Sequence, residues 1–272
     1  MGPGPLPALR RRAEPPLRGP PRPGASRARG RGPARPLVVD LGCGPGTDTP
    51  ILRPFFPGAR LEAVDASPEM VDAARAAAPG DDVEYVLADV RAWLAARRDA
   101  PGEAPRAIVS NAMFQWVEDH LGMIPELADL VAPGGSLALQ VPANFDAPSH
   151  VLLRELAARP EYARHVTARL RDTSVRAEEY LRALARPGWR VDAWETTYLH
   201  VLQGPDPVFE WISGTGARPV LESLPDAERE RFAREYRAAL RRAYPALRRA
   251  YPAGEAGTVL PFRRVFAVAT RD

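Results

Sequence analysis

The turn Asp40-Leu41-Gly42-Cys43-Gly44-Pro45-Gly46-Thr47 sits directly behind the β-branched run Leu37-Val38-Val39, and it constrains this chain more than any other segment. A short apolar run that ends in glycines reads as a buried parallel strand. The glycines let the backbone approach a ligand closely, and the helix expected to follow would present free N–H groups to it. A dinucleotide site would require G-x-G-x-x-G, but the sixth position here is Thr47, so the nicotinamide fingerprint fails. A G-x-G-x-G turn preceded by an acid suits a ligand without a pyrophosphate.

Behind that turn, apolar strands alternate with helical stretches. Strands are expected at 60–64, 83–87, 107–110 and 136–141. Ser67-Pro68-Glu69 reads as an N-cap, a first-turn proline and an early acid opening a helix. Alternation at this nearly even spacing means βαβ units and a parallel sheet. The pattern then changes. Helical stretches are expected at 149–158 and 177–185, a long strand at 190–202, a mostly helical region at 205–260 (best marked at 226–244), and a closing strand at 262–270. The expected fold is therefore α/β: a Rossmann-like, seven-stranded, mostly parallel sheet with helices on both faces and a helical insertion before the last strand.

Two acids sharpen the reading of the turn. Asp65 ends the second strand and Asp89 ends the third, and the steps from Gly42 to Asp65 and from Asp65 to Asp89 are almost equal. In open α/β sheets ligands lie beyond the carboxyl ends of the strands, where all three features fall. There Asp65 is placed to accept both hydroxyls of a ribose. Asp89 is placed to accept from an adenine amino group, with the Val90 N–H near a ring nitrogen.

Charge is unevenly placed. Residues 1–36 hold nine arginines, ten prolines and one acid, whereas positions 37–272 hold 28 basic and 33 acidic groups. The first segment has no hydrophobic period and no apolar stretch of the kind that forms a signal peptide, so it is expected to be an unstructured tail, with order beginning at Leu37. The remainder is mildly acidic and lacks the clustered basic footprint of a nucleic-acid binder. No apolar run approaches the roughly 18 residues that cross a bilayer. The one cysteine, Cys43, excludes an internal disulfide framework and fits a reducing cytoplasm. The four histidines, His120, His150, His165 and His200, have no metal-ligand spacing, so no metal is expected. Oligomeric state is not written in the sequence.

The turn and its two acids resemble motifs I to III of class I methyltransferases, which implies S-adenosylmethionine as cofactor. The resemblance assigns Gly42, Gly44 and Gly46 to its methionine and ribose portion and Asp40 to the loop and the methionine amino group. Asp65, Asp89 and Val90 take the nucleoside, and Asn111, after the fourth strand, lies beside the methyl. From Val109 onward the chain resembles the trans-aconitate methyltransferases. The matching strings are Ser110-Asn111-Ala112-Met113-Phe114-Gln115-Trp116-Val117, residues 140–150 (QVPANFDAPSH), 194–202 (WETTYLHVL), 211–219 (WISGTGARP) and 261–266 (PFRRVF). That family implies methylation of a carboxylate on a small polycarboxylic acid. The amino end departs from it: the family opens with a tryptophan–aspartate–proline and tyrosine segment, where this chain has an Arg/Pro run of the kind expected from GC-rich DNA read out of frame or from a misplaced start. Asp48, where the family usually has an apolar residue, puts an extra acid near the cofactor.

A carboxylate is already an anionic nucleophile, so no catalytic general base is expected, only desolvation and alignment. The polyanionic substrate would want arginine forks, and Arg218, Arg263 and Arg264 lie in the matching strings; alternation cannot say which of the last two faces the substrate. Trp116, Tyr198 and Trp211 are candidate pocket walls, with His120 and His150 as candidate donors to a carboxylate. Two other readings stand beside this one: methylation of a different acid, such as a malonyl thioester, and a degenerate cofactor-binding module without turnover.

Overall fold

A computed structural model describes residues 35–77, 82–100, 102–168, 170–243 and 258–272. Its strands are β1 (Leu37–Leu41), β2 (Arg60–Asp65), β3 (Val83–Leu87), β4 (Ala107–Asn111), β5 (Ser136–Pro142), β6 (Trp189–Leu202) and β7 (Thr258–Arg271). They form one sheet in the order β3-β2-β1-β4-β5-β7-β6. The pairs β1/β2, β1/β4, β2/β3 and β4/β5 are parallel, with Asp40 opposite Ala63 on one side and Val109 on the other. The expected strands are all present, most within a residue or two of their expected ends.

Helices α1 (Pro68–Ala77), α2 (Val90–Asp99), α3 (His120–Leu130), α4 (Pro148–Ala157), α5 (Pro160–Ala163) and α6 (Ala177–Leu184) follow the first strands. Then come α7 (Pro207–Ser213), α8 (Arg218–Ser223) and α9 (Asp226–Ala243), which make up the described part of the helical insertion. The cap read at Ser67 forms: its Oγ accepts the Met70 N–H at 3.2 Å, satisfying one of the first-turn donors of α1.

Two expectations are corrected. No α-helix follows the glycine turn; a four-residue 3-10 helix spans Thr49–Leu52 instead. Pro54 has no N–H to donate back to Pro50, so one bond that would extend the helix is missing. The chain is also anchored just ahead of Leu37, because Arg35 donates to the carbonyls of Gly58 (3.0 Å) and Ala59 (3.2 Å). The rest of the expected tail, and Tyr244 at the end of the expected insertion helix, lie outside the described residues.

The chain divides into two compact units. Among the described residues, the first takes those from 35 to 140, from 181 to 192 and from 267 to 272, and the second takes those from 141 to 180 and from 193 to 266. In the first, β1 is buried along its whole length, and Val38, Leu52, Ala59, Leu61 and Ala107 form a core cluster. Glu62 is buried inside β2 but satisfied, accepting from Trp93 Nε1 at 2.7 Å and from the Arg97 guanidinium, so the charge is not left uncompensated. The second unit has its own core, in which Leu153, Tyr162, Phe209, Val220, Phe232 and Tyr236 are buried from α4, α5 and α7 to α9. Tyr236 Oη donates to the Ser149 carbonyl at 2.8 Å and ties α9 to α4.

Candidate active site

The first unit gathers its polar groups at the carboxyl ends of β1, β2 and β4. β1 delivers Asp40, 4% exposed, whose carboxylate accepts the Thr49 hydroxyl at 2.6 Å. Burial pushes the Asp40 carboxyl up to about 6; Thr49 opposes that shift, and the negative charges of Asp48 and Asp65 add to it. After Leu41 the chain turns sharply, with φ of +76° at Gly42, and the Gly42 and Cys43 N–H groups both donate to the Val64 carbonyl (2.8 and 3.1 Å). A Cβ at Gly42 would stand 2.3 Å from the Cβ of Met113, so only glycine fits. At Gly44 (φ +54°) a Cβ would meet nothing within 4 Å, which leaves open space beside the turn. The buried Cys43 thiol is pushed up to about 12 by burial and by Asp40 and Asp65, so it stays protonated and is no nucleophile.

Asp65, at the end of β2, is held by both oxygens: Oδ2 accepts the Gly44 N–H and Oδ1 the Ser67 N–H, each at 2.9 Å. Each oxygen retains a further lone pair for an incoming hydroxyl. Asp89 caps α2 by accepting the Arg91 N–H at 2.8 Å through Oδ1, so one of its oxygens is committed to the helix. The Val90 N–H is the first of α2 and has no acceptor within that helix. Leu87, opposite Asp65 in the β2/β3 register and 51% exposed, offers apolar surface beside the acids. Sequence reasoning passed over it because a leucine ending a strand reads as core.

β4 ends in Asn111, whose Nδ2 donates to Asp48 Oδ2 at 2.6 Å while its Oδ1 is buried with no partner. The extra acid of this chain is thus bonded directly to the asparagine. Ala112 follows with φ of +55°, an uncommon conformation for a residue with a side chain, held by its N–H bond to the Gln140 carbonyl at 2.9 Å. The Gln115 side chain donates to the Ala112 carbonyl and leaves its own Oε1 buried and unpartnered. Two orphaned carbonyl oxygens and the carboxylates Asp40, Asp48 and Asp65 make a set rich in acceptors, which suits a cationic ligand. S-adenosylmethionine, with its sulfonium and ammonium groups, fits that set.

Two aromatic candidates of this unit fare differently. His120 is 3% exposed, packs 5.8 Å from the Phe114 ring and has Nδ1 3.1 Å from the Val117 carbonyl, so it is held in the core. Trp116 is 66% exposed.

In the second unit, Arg218 opens α8; its side chain is 66% exposed and pairs with Glu222 at 2.7 Å. Arg263 is committed within its own unit, to the Ala143 carbonyl (2.9 Å), Glu195 (3.4 Å) and Asp146 (3.1 Å). Its backbone also exchanges bonds with the Asn144 side chain. His150 is edge-on to Phe145 at 5.6 Å, and burial lowers its imidazole to about 4, with Arg154 contributing, so it is neutral at physiological pH. A Cβ on Gly216 would reach within 2.9 Å of His150 Nε2, which explains the glycine there.

The remaining candidates converge. Arg264 lies 5.8 Å from the Tyr198 ring and 5.2 Å from Phe262, and Trp211 packs 4.7 Å from His200. Phe262 and Arg264 are two apart on β7 and share a face that Arg263 does not. Of the residues proposed for substrate, the structure groups Tyr198, Trp211 and Arg264, and adds His200. Its position two residues from Tyr198 on a strand was the available signal.

The sheet order, the glycine turn and the acids at its strand ends define a Rossmann-like, S-adenosylmethionine-dependent methyltransferase. The family model described as "Methyltransferase domain" matches residues 15–193. The chain is 48% identical over 248 residues to a trans-aconitate 2-methyltransferase of Streptomyces avermitilis, covering 89% of this chain and 87% of that one. It is 46% identical over 244 residues to the trans-aconitate 2-methyltransferase of Streptomyces coelicolor, covering 87% and 76%. Among solved structures, a putative sarcosine dimethylglycine methyltransferase from Galdieria sulphuraria matches at 15% identity and a TM-score of 0.49, covering 87% of this chain and 78% of the other. The chain belongs to the trans-aconitate 2-methyltransferase family.

Proposed function

We propose that this protein forms a monomethyl ester on one carboxylate of trans-aconitate or a closely similar small polycarboxylic acid. The observation that carries the cofactor half is the acceptor set of Asp40, Asp48, Asp65 and the orphaned Asn111 Oδ1. The substrate half is supported by the curated names of the relatives at 48% and 46% identity.

In this reading Asp65 receives the ribose hydroxyls, already aimed by its two backbone donors. The Gly42–Gly46 turn admits the methionine portion, Asp40 faces its ammonium group, and Asp89 and Val90 take the adenine edge. Bound S-adenosylmethionine supplies an electrophilic methyl group on a positively charged sulfur. The chain need only hold a carboxylate oxygen in line with that methyl and keep water away, because the nucleophile arrives ionised. On the substrate side, Arg264, Tyr198 and Trp211 are the best-supported residues, because they gather around the His200 and Phe262 rings; Arg218 and Trp116 are exposed, and Arg263, His120 and His150 stand apart from that group.

The protein is read as cytoplasmic, where the lone buried thiol of Cys43 stays reduced, and without a nucleic-acid partner. Among the described residues no helix is long and apolar enough to cross a membrane. The test is mass-spectrometric detection of a monomethyl ester after incubation with S-adenosylmethionine and trans-aconitate. Ester formation by wild type and its loss in Asp65→Ala support the reading. Cofactor binding without any ester contradicts it and favours a binding module.

A further inference from the structure

We propose that Tyr198, His200 and Arg264 form a subsite for a carboxylate that is not methylated, and so set the preference for polyacids over monoacids. The inference rests on the carboxylate-methylation reading above and deepens it.

Tyr198 Oη and His200 Nε2 are both buried and have no hydrogen-bond partner among the described residues. They stand two apart on β6, so they point to the same side of the strand, with their rings 6.4 Å apart and nearly parallel. Trp211 (4.7 Å) and Phe262 (5.8 Å) enclose the His200 ring. The Arg264 guanidinium lies over the Tyr198 and Phe262 rings and is close enough to His200 to lower its basicity, second to burial itself. Asp146 and Glu195, carboxylates of this unit near β7, are bound to Arg263.

A buried polar atom left without a partner is costly, and two of them side by side call for a group that completes both. A neutral imidazole protonated at Nε2, a phenol hydroxyl and a guanidinium are all donors, and aromatic walls strengthen each of them by excluding water. The ligand that fits is a planar anion with two acceptor oxygens. Donors that grip a carboxylate also draw off its electron density and make it a poorer nucleophile. The group held here is therefore the one left unreacted.

The test compares Tyr198→Phe, His200→Leu and His200→Gln with wild type. Initial rates are measured on trans-aconitate and on the monoacid crotonate, with calorimetric titration of trans-aconitate into cofactor-saturated protein. Each of Tyr198→Phe and His200→Leu should weaken trans-aconitate binding about 10- to 100-fold. The trans-aconitate to crotonate ratio of kcat/KM should fall by at least about tenfold, because a site built to bond a group rejects the ligand lacking it. Glutamine keeps a donor at position 200 and should recover part of the loss. S-adenosylmethionine affinity and melting temperature act as controls, and if His200→Leu fails to fold, Tyr198→Phe and His200→Gln carry the comparison. Unchanged trans-aconitate binding, or equal losses on both acids, overturns the subsite. If wild type methylates no carboxylic acid, the methylation reading falls, and the titration alone decides the subsite: weakened binding in the variants keeps it, and absent or equal binding removes it.

Discussion

The two units of this chain gather opposite kinds of polar group at their candidate sites. The first collects acceptors: Asp40, Asp48 and Asp65, with the buried Oδ1 of Asn111 and Oε1 of Gln115. The second collects donors, Tyr198 Oη and His200 Nε2, with Arg264 beside them. An acceptor-rich site is stabilised by a cation and a donor-rich site by an anion. A methyl transfer from a sulfonium to a carboxylate brings one of each.

The largest effect is expected at Asp65. Replacing it by alanine removes the carboxylate proposed to accept two ribose hydroxyls and also frees the Gly44 and Ser67 N–H groups it now holds. The loss of about 2–4 kcal/mol corresponds to cofactor binding weakened roughly 30-fold or more. Calorimetry on a folded Asp65→Ala protein that shows wild-type affinity would refute the assignment of the acceptor set.

The matching change in the second unit is Arg264→Ala. A partly desolvated charged partner contributes about 2–3 kcal/mol, so kcat/KM for trans-aconitate should drop ~30- to 150-fold while cofactor affinity holds. Arg218→Ala is its counterpart. An exposed i,i+4 pair such as Arg218–Glu222 is worth a fraction of 1 kcal/mol, so the same rate should stay within about threefold of wild type. A reversed order, with Arg218 the costly loss, would move the anion site away from β6 and β7.

These two units were also unequally legible in the sequence. The cofactor side could be read from spacing, because each acid sits at the end of its own strand and the strands recur at nearly even steps. What spacing missed there was local: a 3-10 turn at Thr49–Leu52 stands where an α-helix is expected, and its Thr49 hydroxyl satisfies Asp40. The donor side was legible only as matching strings. Residues 198, 200, 211, 262 and 264 are joined by folding, and no period in the chain foretells that β7 lies beside β6. Among 37 arginines the pattern cannot separate Arg263, bound to Asp146 and Glu195, from Arg264, which lies over the Tyr198 and Phe262 rings. His200 lacks metal-ligand spacing, a criterion that says nothing about a lone donor in an aromatic box.

A smaller effect probes the acceptor side by pH. The Asp40 carboxyl is raised from 3.8 to about 6 in the cofactor-free protein, so it favours folding while protonated. That contribution is complete below about pH 4 and is lost as pH rises through 6. A cation bound beside Asp40 favours the ionised form, so the rise in melting temperature on adding S-adenosylmethionine should grow between about pH 5 and 7. Asp40→Asn should flatten this trend. A cofactor-induced rise that is already flat in wild type would separate Asp40 from the cofactor's charge.

The most direct measurement follows radiolabelled methyl from S-adenosylmethionine into a panel of mono-, di- and tricarboxylic acids. Base-labile label is expected in the carboxylate products, with kcat/KM rising from monoacid to polyacid and trans-aconitate among the best substrates. Label entering an amine or a phenol instead, or polyacids no better than crotonate, would contradict methylation of a polyacid carboxylate.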